Sequence, residues 1–101
     1  MMVHFPRSLA LLGVLLLLGC DPQQSQYRVA MQQLFHHDYR AAALTLSSLA
    51  ENGHAPAQFR LGMLYRLGLG VPRNPRRAVY WFDKAARQAD VGGQYWLAES
   101  F

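Results

Sequence analysis

Two hydrophobic patterns divide this chain. From Leu9 to Leu18 almost every residue is Leu, Ala, Val or Gly, with no polar face. From Gln26 onward the apolar residues recur with helical spacing instead. Tyr27, Ala30, Met31, Leu34 and Phe35 fall on one stripe. After a break at His36-His37-Asp38, Tyr39, Ala42, Ala43, Leu46, Leu49 and Ala50 form a second stripe, and Asn52-Gly53 stops it. A third helix is expected from about Pro56 to Leu67, and a fourth from about Pro75 to Gln88. A glycine-rich loop, GLGVPRN, joins them. A fifth is expected to start near Gly93.

The stripes repeat. At an offset of 36, Arg40 falls on Arg76, Ala42 on Ala78, Ala50 on Ala86, Gln58 on Gln94 and Leu61 on Leu97. Larger residues match as well: Leu46 with Phe82, Phe59 with Tyr95, Tyr65 with Phe101. Asp38 falls on Asn74, and both residue types cap helix N-termini well. Pro75 suits the first helical position, where its missing N–H has no intrahelical partner. An internal repeat of this length points to stacked helix pairs. The fold class is therefore all-α, a short α-solenoid of antiparallel helix pairs.

The stretch Ala55 to Asp90 resembles a Sel1-like repeat, a relative of the tetratricopeptide repeat with a longer inter-helix loop. The resemblance rests on Ala57, Leu61-Gly62, Tyr65, Gly68-x-Gly70-Val71, Ala78, Trp81 and Ala85-Ala86. Asn74 stands where that pattern has Asp. Tyr39 to Gly53 resembles a worn second helix of a preceding unit, with Thr45 in place of Trp81. The resemblance implies a right-handed superhelix whose function is binding. The expected packing residues are Ala57, Leu61, Gly62, Tyr65, Ala78, Trp81, Phe82, Ala85 and Ala86. Gly62 and the alanines would let helices approach closely, and the aromatics would fill the space between. Expected partner contacts are Phe59, Arg60, Met63 and Arg66, on the exposed faces of first helices, with Tyr95 and Trp96.

The apolar run changes where such a protein would act. It follows a short leader carrying Arg7, and about ten apolar residues suit an export signal. A membrane span needs roughly 20. Leu17-Leu18-Gly19-Cys20 resembles a bacterial lipobox, with Leu18 where a small residue is more usual. That resemblance implies removal of residues 1–19 as a signal peptide and acylation of Cys20. The alternative is an ordinary signal peptide, with the cysteine removed or left as a free thiol. Cys20 is the sole cysteine, so no disulfide is available to the fold. Residues 20–26 read as the lipidated cysteine and a polar tether of at most about 20 Å, and residues 27–101 as the repeat domain. Asp21 after the cysteine resembles an inner-membrane retention signal, which slightly favours the inner membrane over the outer, facing the periplasm.

Charge and chemistry narrow the function further. The formal net charge is +4, and about +3 without Arg7. In an exported chain this argues against nucleic acid as partner. Arg66, Arg73, Arg76 and Arg77 bracket the repeat loop. They read as a solvated surface or as a contact for an acidic partner or lipid headgroups. His36, His37, Asp38 and His54 carry no metal-ligand spacing, and GLGV lacks the Lys of a phosphate-binding loop. No catalytic residue, metal or cofactor is expected. The final helix carries Tyr95, Trp96, Leu97 and Phe101, more apolar surface than one neighbour covers. A partner protein, self-association or membrane contact would account for it; so would Trp96 folding over the helix end.

The expected function is thus a membrane-anchored adaptor for an unknown envelope protein. An alternative is an accessory piece that completes a larger solenoid. Cysteine-rich Sel1-like relatives proposed to hydrolyse β-lactams offer an enzyme reading, but their cysteines are missing here.

Overall fold

A computed structural model describes residues 21–88. Among these residues there are four helices and no strand: α1 (Pro22–Phe35), α2 (Tyr39–Glu51), α3 (Ala55–Leu67) and α4 (Pro75–Arg87). Each helix packs on the next in sequence, α1 on α2, α2 on α3 and α3 on α4. This is the all-α, solenoid-like arrangement expected from the repeat. The expected fifth helix lies outside the described residues.

Each helix start follows from its cap. Asp21, Asp38, His54 and Asn74 each accept a backbone N–H of the first turn. Proline occupies one of the first two positions of α1, α3 and α4. The cap at Asp21 corrects one boundary. The polar stretch read as a tether is helical from Pro22, because Asp21 Oδ1 accepts the Gln23 N–H at 3.0 Å and Pro22 pre-sets the first turn. Apolar periodicity could not show this, since these first residues face water.

The first two connections share one geometry. After α1 the Asp38 N–H donates to the Gln33 carbonyl at 2.8 Å, and after α2 the His54 N–H donates to the Leu49 carbonyl at 3.0 Å. Each is the six-residue bond of a Schellman closure, and in each the closing residue also caps the next helix. The left-handed position is Gly53 in one (φ +87°) and His37 in the other (φ +59°). A side chain there costs roughly 1–2 kcal/mol of backbone strain. His37→Gly removes that strain but adds about 0.5–1 kcal/mol of chain entropy. We expect a net stabilisation of about 0.5–1 kcal/mol, read as a raised denaturation midpoint at unchanged slope. A lowered midpoint would show that His37 is held by something other than its backbone.

The core runs along the stack. Ala30, Ala43, Leu46, Leu49, Ala50, Ala57, Leu61, Leu64 and Trp81 form one buried cluster, with Tyr27, Leu34, Tyr39, Tyr65, Leu69 and Val71 packed against it. Leu46 and Phe82, matched by the offset of 36, are both fully buried. So are Ala42 and Ala78, to within one per cent. Phe35 departs from its expected place on the α1 stripe. It lies at the last residue of the helix, 80% exposed, with the His36 ring edge-to-face against it, centres 5.4 Å apart.

The two hairpins differ in their connection. Residues 36–38 join α1 to α2, and residues 68–74 join α3 to α4. The four additional residues reduce the offset between first helices to 32. Ala30 then corresponds to Gly62, and both are small and buried. Gly62 carries the closer approach. A Cβ there would lie 2.5 and 2.6 Å from two Phe82 ring carbons and 3.2 Å from the Ala78 carbonyl oxygen.

Candidate functional site

The longer loop is fixed at both ends and at its tip. Gly68, with φ +70°, ends α3, and the Leu69 N–H returns to the Leu64 carbonyl at 3.0 Å. The Asn74 N–H donates to the Tyr65 carbonyl at 2.8 Å, so the loop closes on the helix it left. Its tip reaches the preceding hairpin. At Gly70 (φ +73°) a Cβ would overlap the Tyr39 carbonyl group and lie 2.8 Å from the Arg40 nitrogen. The Gly-x-Gly-Val motif therefore joins consecutive repeats as well as turning the chain. No local pattern in the sequence pointed to this contact.

One buried polar residue also joins successive elements. Gln58 is 3% exposed. Its Nε2 donates to the Ala50 carbonyl at 3.0 Å, in the last turn of α2, and its Oε1 accepts from Gln88 Nε2 at 2.9 Å, after α4. A buried amide with both ends paired carries no desolvation debt and fixes register. Thr45, where α4 has Trp81, donates to Gln33 at 2.9 Å and contacts the Ala41 carbonyl at 3.1 Å. That side chain links α2 to α1 by polar contact in place of an aromatic ring.

The expected packing residues divide by depth. Ala57, Leu61, Gly62, Ala78, Trp81, Phe82 and Ala85 are buried, while Tyr65 and Ala86 are half-buried. The Tyr65 hydroxyl accepts from Arg77 Nη1 at 3.0 Å, and the Arg77 guanidinium lies 5.5 Å from the Tyr65 ring centre.

The expected partner contacts on α3 are less open than their stripe implied. Phe59, Arg60, Met63 and Arg66 are all half-buried. Phe59 lies against Phe82, with ring centres 6.1 Å apart. Arg60 Nε donates to the Tyr27 hydroxyl of α1 at 3.4 Å, so the α3 stripe is occupied in part by its neighbour. Tyr95 and Trp96 lie outside the described residues, as does Cys20.

Exposed large apolar residues recur at repeat-equivalent positions. Phe35 and Leu67, at the ends of the first helices, match at offset 32, and Leu44 and Tyr80 on the second helices match at 36. Leu44 is 71% exposed even though α2 has a helix packed on each side. The outer face of the second helices therefore stays open when repeats stack. Beside Tyr80, a groove of about 530 Å³ is lined by Glu51, Asn74, Arg76, Arg77, Tyr80 and Trp81.

The outer face of α1 is built differently. Ala57, Gln58, Leu61 and Leu64 of α3 are buried, and their equivalents at offset 32 are Ser25, Gln26, Val29 and Gln32. All four are exposed, and three are polar. A solenoid ends on such a face, because a helix stacked there would bury polar groups.

The chemistry of the site is that of a surface. Among the described residues no three or more His, Cys, Asp or Glu side chains come together to hold a metal ion. His36 and His37 are exposed, and Asp38 caps α2. His54 Nδ1 accepts the Ala57 N–H at 3.2 Å, with the Tyr27 ring tilted against it, centres 5.0 Å apart. Among the described residues no helix is long and apolar enough to cross a membrane.

Stacked helix pairs, a glycine-tipped inter-helix loop and an open outer face define a helical-repeat interaction module. The particular repeat is the Sel1 repeat, which spans residues 55–90. Repeats of this kind are mostly non-catalytic adaptors that mediate protein–protein interaction. No curated protein and no solved structure matches the chain.

Proposed function

We propose that this protein is a lipid-anchored adaptor of the bacterial envelope, tethered through Cys20 and presenting its Sel1 repeat to a periplasmic protein partner. The observation that carries the binding half of this reading is the recurrence of open apolar residues at equivalent positions of the second helices, Leu44 and Tyr80. The membrane half rests on the sequence, where an apolar run ends on Leu-Leu-Gly-Cys. In this reading α1 begins two residues after the acylated cysteine, so the folded body lies against the headgroups. The Asp21 side chain, capping α1, offers a structural role beside that of a sorting signal.

The alternative of a piece completing a larger solenoid is narrowed by the polar outer face of α1. Another repeat unit would have to add beyond α4, making this chain the first unit of such an array.

The test is expression of the full chain in a bacterium, with mass spectrometry of its N-terminal peptide and fractionation of membranes. The expected result is an acylated peptide beginning at Cys20, and loss of membrane association in Cys20→Ser. An unacylated N-terminus, or a Cys20→Ser protein that stays in the membrane, would overturn the anchor. The adaptor half is tested by crosslinking in membranes. One partner captured by the wild type and lost on Leu44→Asp plus Tyr80→Asp supports it, and no specific crosslink contradicts it.

A further inference from the structure

We infer that the groove beside Tyr80 is a docking site for an acidic peptide segment of a partner protein. This deepens the adaptor reading and rests on it. Between residues 21 and 88 there are nine Lys and Arg side chains and four carboxylates: Asp21, Asp38, Glu51 and Asp83. Two of the four cap helices, and Asp83 pairs with Arg87 at 2.9 Å. Glu51 is left, and it lies on the wall of this groove. Arg76 and Arg77, both exposed, line it too. Arg77 is held by the Tyr65 hydroxyl, and a guanidinium anchored by a neutral partner keeps its full charge for a ligand.

The rest of the groove selects a polypeptide. Tyr80 and Trp81 stack edge to face with ring centres 5.0 Å apart, giving an aromatic wall next to the cations. Lys84 lies 5.1 Å from the Tyr80 ring centre, so a further cation sits beside this aromatic pair. A groove with aromatic rings beside cations takes an apolar side chain next to acidic ones. A lipid surface is better met by a convex cationic face, and the Glu51 carboxylate can accept a backbone N–H of a bound peptide. The repeat geometry keeps the site open. Tyr80 is equivalent to Leu44, which remains exposed with a helix on either side, so a further helix beyond α4 leaves Tyr80 free.

The probe is a fluorescein-labelled nonapeptide of Asp and Glu with a central Leu, read by anisotropy against the full chain in non-ionic detergent. Controls are the Asn/Gln version of the peptide and, for the Cys20→Ser protein in detergent-free buffer, vesicles of anionic or zwitterionic lipid. The expected result is saturable binding that weakens as salt is raised. Binding should fall at least tenfold in Arg76→Glu and in Tyr80→Ala. It should change less than threefold in Arg28→Glu, which lies on α1. Both groove positions are exposed, and circular dichroism should show both variants folded. Equal binding of the amide peptide, unchanged binding in Arg76→Glu, or binding to anionic vesicles alone would overturn the proposal. If membrane crosslinking still captures a partner that Arg76→Glu and Tyr80→Ala do not release, the adaptor reading stands and this site falls.

Discussion

Gly70→Ala lowers the stability of this protein by about 3 kcal/mol or more, while Gly53→Ala costs only about 1–2 kcal/mol. Both glycines have positive φ, +73° and +87°, so both substitutions carry the same left-handed strain. The difference lies in the surroundings. Nothing comes within 4 Å of a Cβ at Gly53, whereas at Gly70 the Tyr39 carbonyl occupies its place. A backbone carbonyl at a helix start cannot rotate away as a side chain can. Relief requires the loop to leave α2, and with it the contact between consecutive hairpins. Domains of this size have roughly 3–10 kcal/mol in total, so the loss is a large share of it. Denaturant titrations of the two variants side by side measure the difference. Equal losses would show that the loop tip is not held against α2.

Gly62→Leu is the second large effect, at about 3 kcal/mol. Phe82 is fully buried, and its ring edge occupies the space a Cβ would need. The Ala78 carbonyl closes the other side, so neither helix can shift without separating α3 from α4. A compensating pair isolates the contact. Gly62→Ala and Phe82→Leu should each destabilise alone, and their combination should lose less than the sum by at least about 1 kcal/mol. Strict additivity would mean that the two positions do not share a contact.

The sequence disclosed those features that depend on neighbours in the chain. The stripes of α2 and α4, the caps at Asp38 and Asn74, and the pairing of Leu46 with Phe82 were all legible, because each has a local period or a residue type suited to one position. Features set by another part of the molecule were hidden. Gly70 reads as a turn glycine, and nothing near it in sequence indicates that Tyr39 lies against it. Residues 22–26 have no apolar stripe, because they lie on an end helix with water on its outer side. His54 belongs to a residue type seldom counted among caps, yet its Nδ1 fills that role.

The candidate surface was harder to read for a related reason. Stripe arguments assign the α3 residues Phe59, Arg60, Met63 and Arg66 to a free face, but Tyr27 of α1 reaches across to Arg60 and Phe82 lies against Phe59. The more open surface is on α4. Tyr80 is next to the buried Trp81 and takes no part in the core stripe. Only its equivalence to Leu44 identifies its exposure as a property of the repeat rather than of the last described helix.

The Gly70 prediction and the interaction surface depend on two hairpins nested as consecutive repeats, and the Gly62 prediction on close approach of α3 and α4 within one of them. A nuclear Overhauser spectrum of the isotope-labelled chain tests this most directly. It should show cross-peaks from the Gly62 α-protons to the Phe82 ring, within one hairpin, together with cross-peaks from the Gly70 α-protons to the Arg40 amide, between the two. Helical shifts with the first set present and the second missing would mean that the hairpins fold side by side without stacking, which contradicts the solenoid.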